Sequence, residues 1–179
     1  MRLRSLSVTL WLAAAPLQAE VLLTPFVGGA VGGDTDDAKL TYGGSMTFAP
    51  QDGGLGLAVD FGYTPDFLGE SGLGKNNVTT LMGNLVLISP GNARVYGSGG
   101  LGLFKTRVED ATGFFKVDSN ELGINVGAGV IFRSRGRVGF QGDVRYFRNL
   151  TDPEPDDEFD VKLGGLDFWR ITGGIVLTF

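Results

Sequence analysis

The segment Trp169 to Phe179 alternates with a period of two. Phe179, Leu177, Ile175, Gly173, Ile171 and Trp169 form one set, and Thr178, Val176, Gly174, Thr172, Arg170 and Phe168 form the other. One set is apolar and the other is mixed and charged, so the segment is a strand with one face against something greasy. Roughly ten residues is also the length a tilted strand needs to cross a bilayer. Beyond the amino-terminal stretch no segment offers about eighteen consecutive apolar residues, so any membrane-spanning structure in this chain has to be built from strands.

Turn residues divide the chain into eight candidate strands at 21–31, 39–49, 54–66, 77–88, 93–106, 120–132, 136–149 and 166–179. Short connectors at Pro50-Gln51-Asp52-Gly53, Ser89-Pro90-Gly91-Asn92 and Arg133-Ser134-Arg135 alternate with longer ones at 32–38, 67–76, 107–119 and 150–165. That rhythm is an up-and-down meander with its short turns on one side, and an even number of strands brings both ends of the chain to that side. The predicted fold is all-β, an eight-stranded antiparallel up-and-down transmembrane β-barrel.

The alternation recurs along the chain. Leu55, Leu57, Val59, Phe61 and Tyr63 oppose Gly56, Ala58, Asp60, Gly62 and Thr64; Val138, Phe140, Gly142, Val144 and Tyr146 oppose Gly139, Gln141, Asp143, Arg145 and Phe147. The first strand and Gly97-Ser98-Gly99-Gly100 give no clear facing. A soluble barrel turns such apolar faces inward and a membrane barrel turns them outward. Eight strands enclose little more than their own side chains. A face rich in glycine with Asp60, Asp143, Arg145 and Arg170 therefore suits a crowded polar interior. Tyr63, Tyr146 and Trp169 near the long-loop ends, and Phe48, Phe132 and Phe179 near the short-turn ends, read as two aromatic girdles on the outside.

The amino terminus reads as a secretory signal peptide, with basic Arg2 and Arg4, an apolar run from Leu6 to Ala15, and cleavage expected after Ala19. This divides the chain into a signal peptide at 1–19 and a barrel at 20–179. Thirty glycines and only three methionines suit tight turns and crowded faces. The chain has no cysteine and no histidine, which removes thiolate chemistry, the usual general base and the commonest metal ligand. Without Arg2 and Arg4 the formal charge falls from −5 to −7, a poor balance for gripping nucleic acid.

With these features in place the chain resembles the small eight-stranded outer-membrane barrels that include the OmpA transmembrane domain and OmpX. Thr24-Pro25-Phe26-Val27-Gly28-Gly29 is similar to that family's first strand, and Tyr96-Gly97-Ser98-Gly99-Gly100-Leu101-Gly102 to a middle strand. The alternating end with Ile175, Leu177 and a terminal Phe179 resembles the family's assembly signal. The resemblance implies a bacterial outer-membrane location, with outer-membrane lipid, lipopolysaccharide, the barrel assembly machinery and periplasmic chaperones as partners. OmpA-like proteins carry a peptidoglycan-binding domain after the barrel; nothing follows Phe179 here, so a cell-wall anchoring role is not expected.

Asp60, Asp143, Arg145 and Arg170, joined by Arg94, Glu121 and Gln141, form the candidate site: a lumen polar network, acting either as a gate whose salt bridges exchange partners or as a static filling. Buried charges of opposite sign must pair there. The acidic run Asp152, Glu154, Asp156, Asp157, Glu158 and Asp160 offers hard oxygens for Ca²⁺ or Mg²⁺, but Pro153 and Pro155 interrupt it and solvated loops commonly look the same. Gly69 to Lys75 nearly spells a phosphate loop, with Asn76 where Ser or Thr belongs and no helix to follow. Two glycosylation sequons, at Asn77 and Asn149, match by chance. No metal site, cofactor or nucleic-acid partner is expected.

Small outer-membrane enzymes such as the lipid A deacylases, palmitoyltransferases and omptins rely on a histidine to activate a nucleophile or water, and this chain has none. The expected role is structural or surface-interacting, with a narrow, plugged lumen. Two alternatives stay open: a small porin or gated channel, and an adhesion or binding module whose long loops, including Phe114-Phe115, meet an unknown surface ligand.

Overall fold

The computed structural model describes residues 19–33, 35, 37–67, 76–109, 116–133, 136–150 and 166–179. Eight strands form one closed antiparallel barrel in sequence order: β1 (Ala19–Val31), β2 (Lys39–Pro50), β3 (Gly54–Pro65), β4 (Asn76–Ile88), β5 (Ala93–Glu109), β6 (Lys116–Arg133), β7 (Val138–Asn149) and β8 (Asp167–Thr178). The expected strands are all present. The clearest difference lies in β5 and β6, whose pairing continues through Thr106↔Ser119 to Glu109↔Lys116, so the connector expected at 107–119 shrinks to 110–115. Period-two apolarity fades where a strand leaves the greasy layer, yet its backbone pairing continues.

The registers fix the shape. Moving across paired residues from Val31 through Trp169, Tyr146, Val126, Gly99, Leu85, Leu57 and Phe48 returns to β1 at Val21, ten residues from the start. Eight strands with that offset tilt by about 40° and enclose a cylinder about 8 Å in radius measured to the backbone. Every inward side chain therefore shares a narrow space with side chains from strands far away in sequence. β1 and β8 close the cylinder, with Phe179 donating to the Val21 carbonyl at 2.9 Å and accepting from its N–H at 3.2 Å. Their ladder lapses at Thr24 and Pro25 without a change of register, as expected where proline has no N–H to give.

Facing is unambiguous and it is inverted relative to a soluble protein. Leu101 is 68% exposed, whereas Arg94 is 0% and Asp60 2% exposed. The two segments with unclear patterning are also settled: Leu22, Thr24 and Phe26 point inward in β1, and Ser98 points inward between outward Gly97 and Gly99 in β5. Among the described residues, the outward positions between Trp169 at one end and Phe179 at the other carry no charged side chain. By register and tilt that band is about 25 Å tall. Only hydrocarbon suits such an exterior, since water would charge the full hydrophobic penalty for it.

Candidate functional site in the barrel lumen

The inward residues stack in layers along the barrel axis. At the short-turn mouth Arg94 forms an ion pair with Glu20 through Nη1, while its Nη2 donates to the Pro50 carbonyl at 2.7 Å and the Gln51 carbonyl at 2.9 Å. Its Nε donates to the Ser89 carbonyl at 3.1 Å. One guanidinium thus ties the start of β1 to the β2–β3 and β4–β5 turns. Arg133 Nη1 donates to the other Glu20 oxygen at 2.9 Å. Above this lies an aliphatic layer of Leu22, Ile88, Ile131 and Val176, with Val86, Ala49 and Ala58 beside it.

The middle holds the predicted charges, joined in one chain. Arg170 Nη2 donates to Asp60 Oδ1 at 2.7 Å, and Arg145 Nη1 lies 3.5 Å from Asp60 Oδ2. Arg145 Nη2 donates to Asp143 Oδ2 at 3.1 Å, and the Tyr96 hydroxyl donates to the same oxygen at 2.5 Å. Gln141 donates to the Tyr96 hydroxyl at 2.7 Å, and its own carbonyl oxygen accepts from Thr24 Oγ1 at 3.3 Å. Two carboxylates face two guanidiniums, so the cluster is formally neutral, as burial demands. The Arg170 guanidinium also lies between rings, 4.7 Å from the Phe26 centroid and 4.6 Å from that of Phe147, which adds cation–π attraction shielded from bulk solvent. Gly62 makes the room, since a Cβ there would collide with the Arg170 head group.

Toward the long loops the lumen turns apolar again. Phe147 stacks on Phe168 at 5.0 Å, Phe104 meets both edge-on at 6.1 and 6.3 Å, and Phe67 meets Phe168 edge-on at 5.0 Å. Met82, Val78, Ala30 and Leu166 complete the layer. At this mouth Glu121 accepts a hydrogen bond from Asn149, and Thr64 donates to Thr41 at 3.0 Å.

Of the predicted network, Asp60, Asp143, Arg145, Arg170 and Gln141 come together; Arg94 and Glu121 stand at opposite mouths. The interior is less polar than its sequence pattern implies. Phe104, Phe147 and Phe168 occupy positions on the mixed faces, and period-two reading assigns a face without saying which layer across the barrel a residue joins. Glu20 and Tyr96 also belong to the lumen network, although the alternation pattern does not single them out. Glu20 meets Arg94 across 74 residues of chain, a separation that local pattern does not bridge. Its second partner, Arg133, is 113 residues away, so neither pairing leaves a local signal in the sequence.

Outside, Tyr63, Tyr146 and Trp169 lie with Tyr42 within about 4 Å of one level along the axis. Tyr42 packs on Tyr63 at 5.5 Å and Tyr146 on Trp169 at 5.2 Å. Tyr146 also donates to Asp167 at 2.9 Å, directing its polar end to the long-loop side. Phe48 and Phe132 lie with Phe140 near a second level, and Phe179 sits a few ångströms lower still. The sequon at Asn77 falls inside β4. The expected signal peptide through residue 18, the near phosphate loop at 69–75, Phe114-Phe115 and the acidic run from Asp152 to Asp160 lie outside the described residues; Ala19 pairs with Pro50 in β1.

A closed eight-stranded antiparallel cylinder with an apolar, uncharged outer band is the fold of the small outer-membrane β-barrels. Solved structures agree. The chain superposes on neisserial surface protein A with a TM-score of 0.65 at 14% identity, covering 90% of this chain and 97% of that one. It superposes on a major outer membrane protein from Thermus thermophilus with a TM-score of 0.63 at 14% identity, over 90% and 99% of the two chains. For the attachment invasion locus protein Ail of Yersinia pestis, solved with the heparin analogue sucrose octasulfate, the TM-score is 0.60 at 14% identity over 91% and 100%. No protein-family model and no curated protein sequence matches the chain.

Proposed function

We propose that the protein is an integral barrel of the bacterial outer membrane with a closed lumen, structural in itself and meeting other molecules through its long connections. The observation that carries this reading is the uncharged apolar wall around a filled interior. In that setting the two aromatic levels sit at the lipid head groups, and outer-membrane lipid and lipopolysaccharide surround the wall. The long loops face outward and the short turns face the periplasm. Ile175, Leu177 and Phe179 then serve as the signal read by the assembly machinery and periplasmic chaperones. No catalysis is part of this reading, because neither histidine nor cysteine is present to act as base or nucleophile.

Loops on a rigid scaffold are where contact with other molecules usually resides. The Yersinia protein of the same fold holds a polyanion; in this chain the six acids between Asp152 and Asp160 argue against an anionic ligand on the longest connection. Membrane fractionation with gel migration before and after boiling tests the main reading. The chain should sediment with the outer membrane and run faster unboiled; a soluble chain with identical migration in both lanes refutes it. A gated pore predicts conductance in planar bilayers that changes on Arg170→Ala or Asp143→Ala, whereas a closed lumen predicts silence in the unaltered chain.

A further inference from the structure

Among the described residues, the buried side-chain polar atoms left without a hydrogen-bond partner are concentrated in one part of the lumen. Eight of the ten belong to Asn84, Ser98, Asn125, Asp143, Arg145 and Arg170, all more than nine-tenths buried. By register these residues lie between the aromatic layer and the aliphatic layer. They include donors, such as Asn125 Nδ2 and Arg170 Nε, and acceptors, such as Asn84 Oδ1 and Asp143 Oδ1. A partner for both kinds in a formally neutral setting is water rather than an ion. A cavity of about 20 Å³ bounded by Asp60, Gln141, Arg145 and Ile131 adjoins the same cluster, enough for one water molecule.

We propose that the middle of the lumen is a closed chamber of ordered water, and that the barrier to ions is the pair of apolar layers above and below it. The salt-bridge cluster is not that barrier. This rests on the closed-lumen reading and adds where the closure lies. The upper layer is the Phe104, Phe147 and Phe168 group; the lower is Leu22, Ile88, Ile131 and Val176, backed by the Glu20 ion pairs. Water in a passage this narrow gains no hydrogen bonds against such walls, so ions cannot cross hydrated. Exchange of ion-pair partners inside the chamber leaves both layers intact and opens nothing.

The chain has no cysteine, so Ser98→Cys places a single thiol in the chamber. In lipid vesicles a charged, membrane-impermeant thiosulfonate should leave it unlabelled. Adding Phe147→Ala, or Phe104→Ala if the first fails to give heat-modifiable barrel, should raise labelling from the long-loop side by at least an order of magnitude. Ile131→Ala, or Val176→Ala in the same role, should do so from the short-turn side. Conductance should require one change in each layer, while the charge variant Asp143→Asn/Arg170→Gln with intact layers stays unlabelled and silent. In nanodiscs the unaltered chain should show magnetisation transfer from water to the Asn84 and Asn125 side-chain amides; its absence overturns the water chamber. Labelling or conductance in the charge variant with intact layers, or no labelling in a folded variant with a layer breached, overturns the placement of the barrier. Conductance by the unaltered chain instead brings down the closed-lumen reading itself.

Discussion

Glu20 shows how much one residue can carry in a cylinder this narrow. It is fully buried and pairs with two arginines of different character: Arg94 has no exposed side-chain surface, while Arg133 is 27% exposed. Removing one partner of a buried pair leaves an uncompensated charge, at about 3–5 kcal/mol; losing a half-exposed partner costs about 1 kcal/mol or less. Glu20→Gln should therefore lower unfolding stability in detergent by several times the effect of Arg133→Gln, and denaturant titration of the two variants measures it. Equal effects would mean the mouth is hydrated. Glycine obeys a similar geometry. A Cβ on inward Gly123 would run into the Phe104 ring, whereas one on outward Gly97 meets nothing within 4 Å. Gly97→Ala should fold and migrate as the parent does, and Gly123→Val should disrupt the aromatic layer enough to abolish heat-modifiable migration.

At the scale of the strand, the two faces answer to different solvents. Val59 faces outward near the middle of the apolar band, and Thr79 faces outward close to the level of Trp169, by the pairings of β3 with β4 and β4 with β5. An arginine at mid-depth in lipid costs about 2–4 kcal/mol and near the interface about 0–1. Val59→Arg should accordingly destabilise the barrel in lipid vesicles far more than Thr79→Arg, and the gap should shrink in urea titrations performed in thin-belted detergent micelles. The same division explains what could be read from sequence. Alternation in Leu55–Tyr63 and Val138–Phe147 reports which solvent each face meets, and so it reveals strand number, order and facing. It fails in β1, where Leu22, Thr24 and Phe26 face inward beside outward Leu23, Pro25 and Val27, because apolar lumen layers erase the contrast between faces. It fails again beyond Thr106, where β5 and β6 run past the level of the apolar band while their backbone pairing continues. The candidate site was legible as a set of inward charges, but its bonding order required the ten-residue offset that only closure supplies.

For the molecule as a whole, closure makes every strand pair equivalent in kind, and the pair containing the chain ends is held by the same ladder as the others. The β1–β8 seam is nonetheless interrupted at Thr24 and Pro25, so no continuous ladder secures it; the Val21–Phe179 bonds fasten its lower end, while the Glu20 ion pairs tie β1 across the lumen to Arg94 of β5 and Arg133 of β6. If barrel stability resides in the closed cylinder and its layered filling, the position of the break in the chain should be immaterial once the polypeptide is made. A circular permutant of residues 20–179, with Phe179 joined to Glu20 by a short glycine-rich linker and new ends between β6 and β7, keeps all eight strand pairs and leaves both new ends on the short-turn side. Loop closure across so short a gap adds little entropic cost, and the linker converts the interrupted seam into a covalent hairpin. The permutant should refold into detergent as a heat-modifiable barrel with a denaturation midpoint close to that of the parent. A chain that migrates identically boiled and unboiled would show that β1 and β8 act as a privileged closing pair, and that the native order of strands is needed to form the cylinder as well as to describe it.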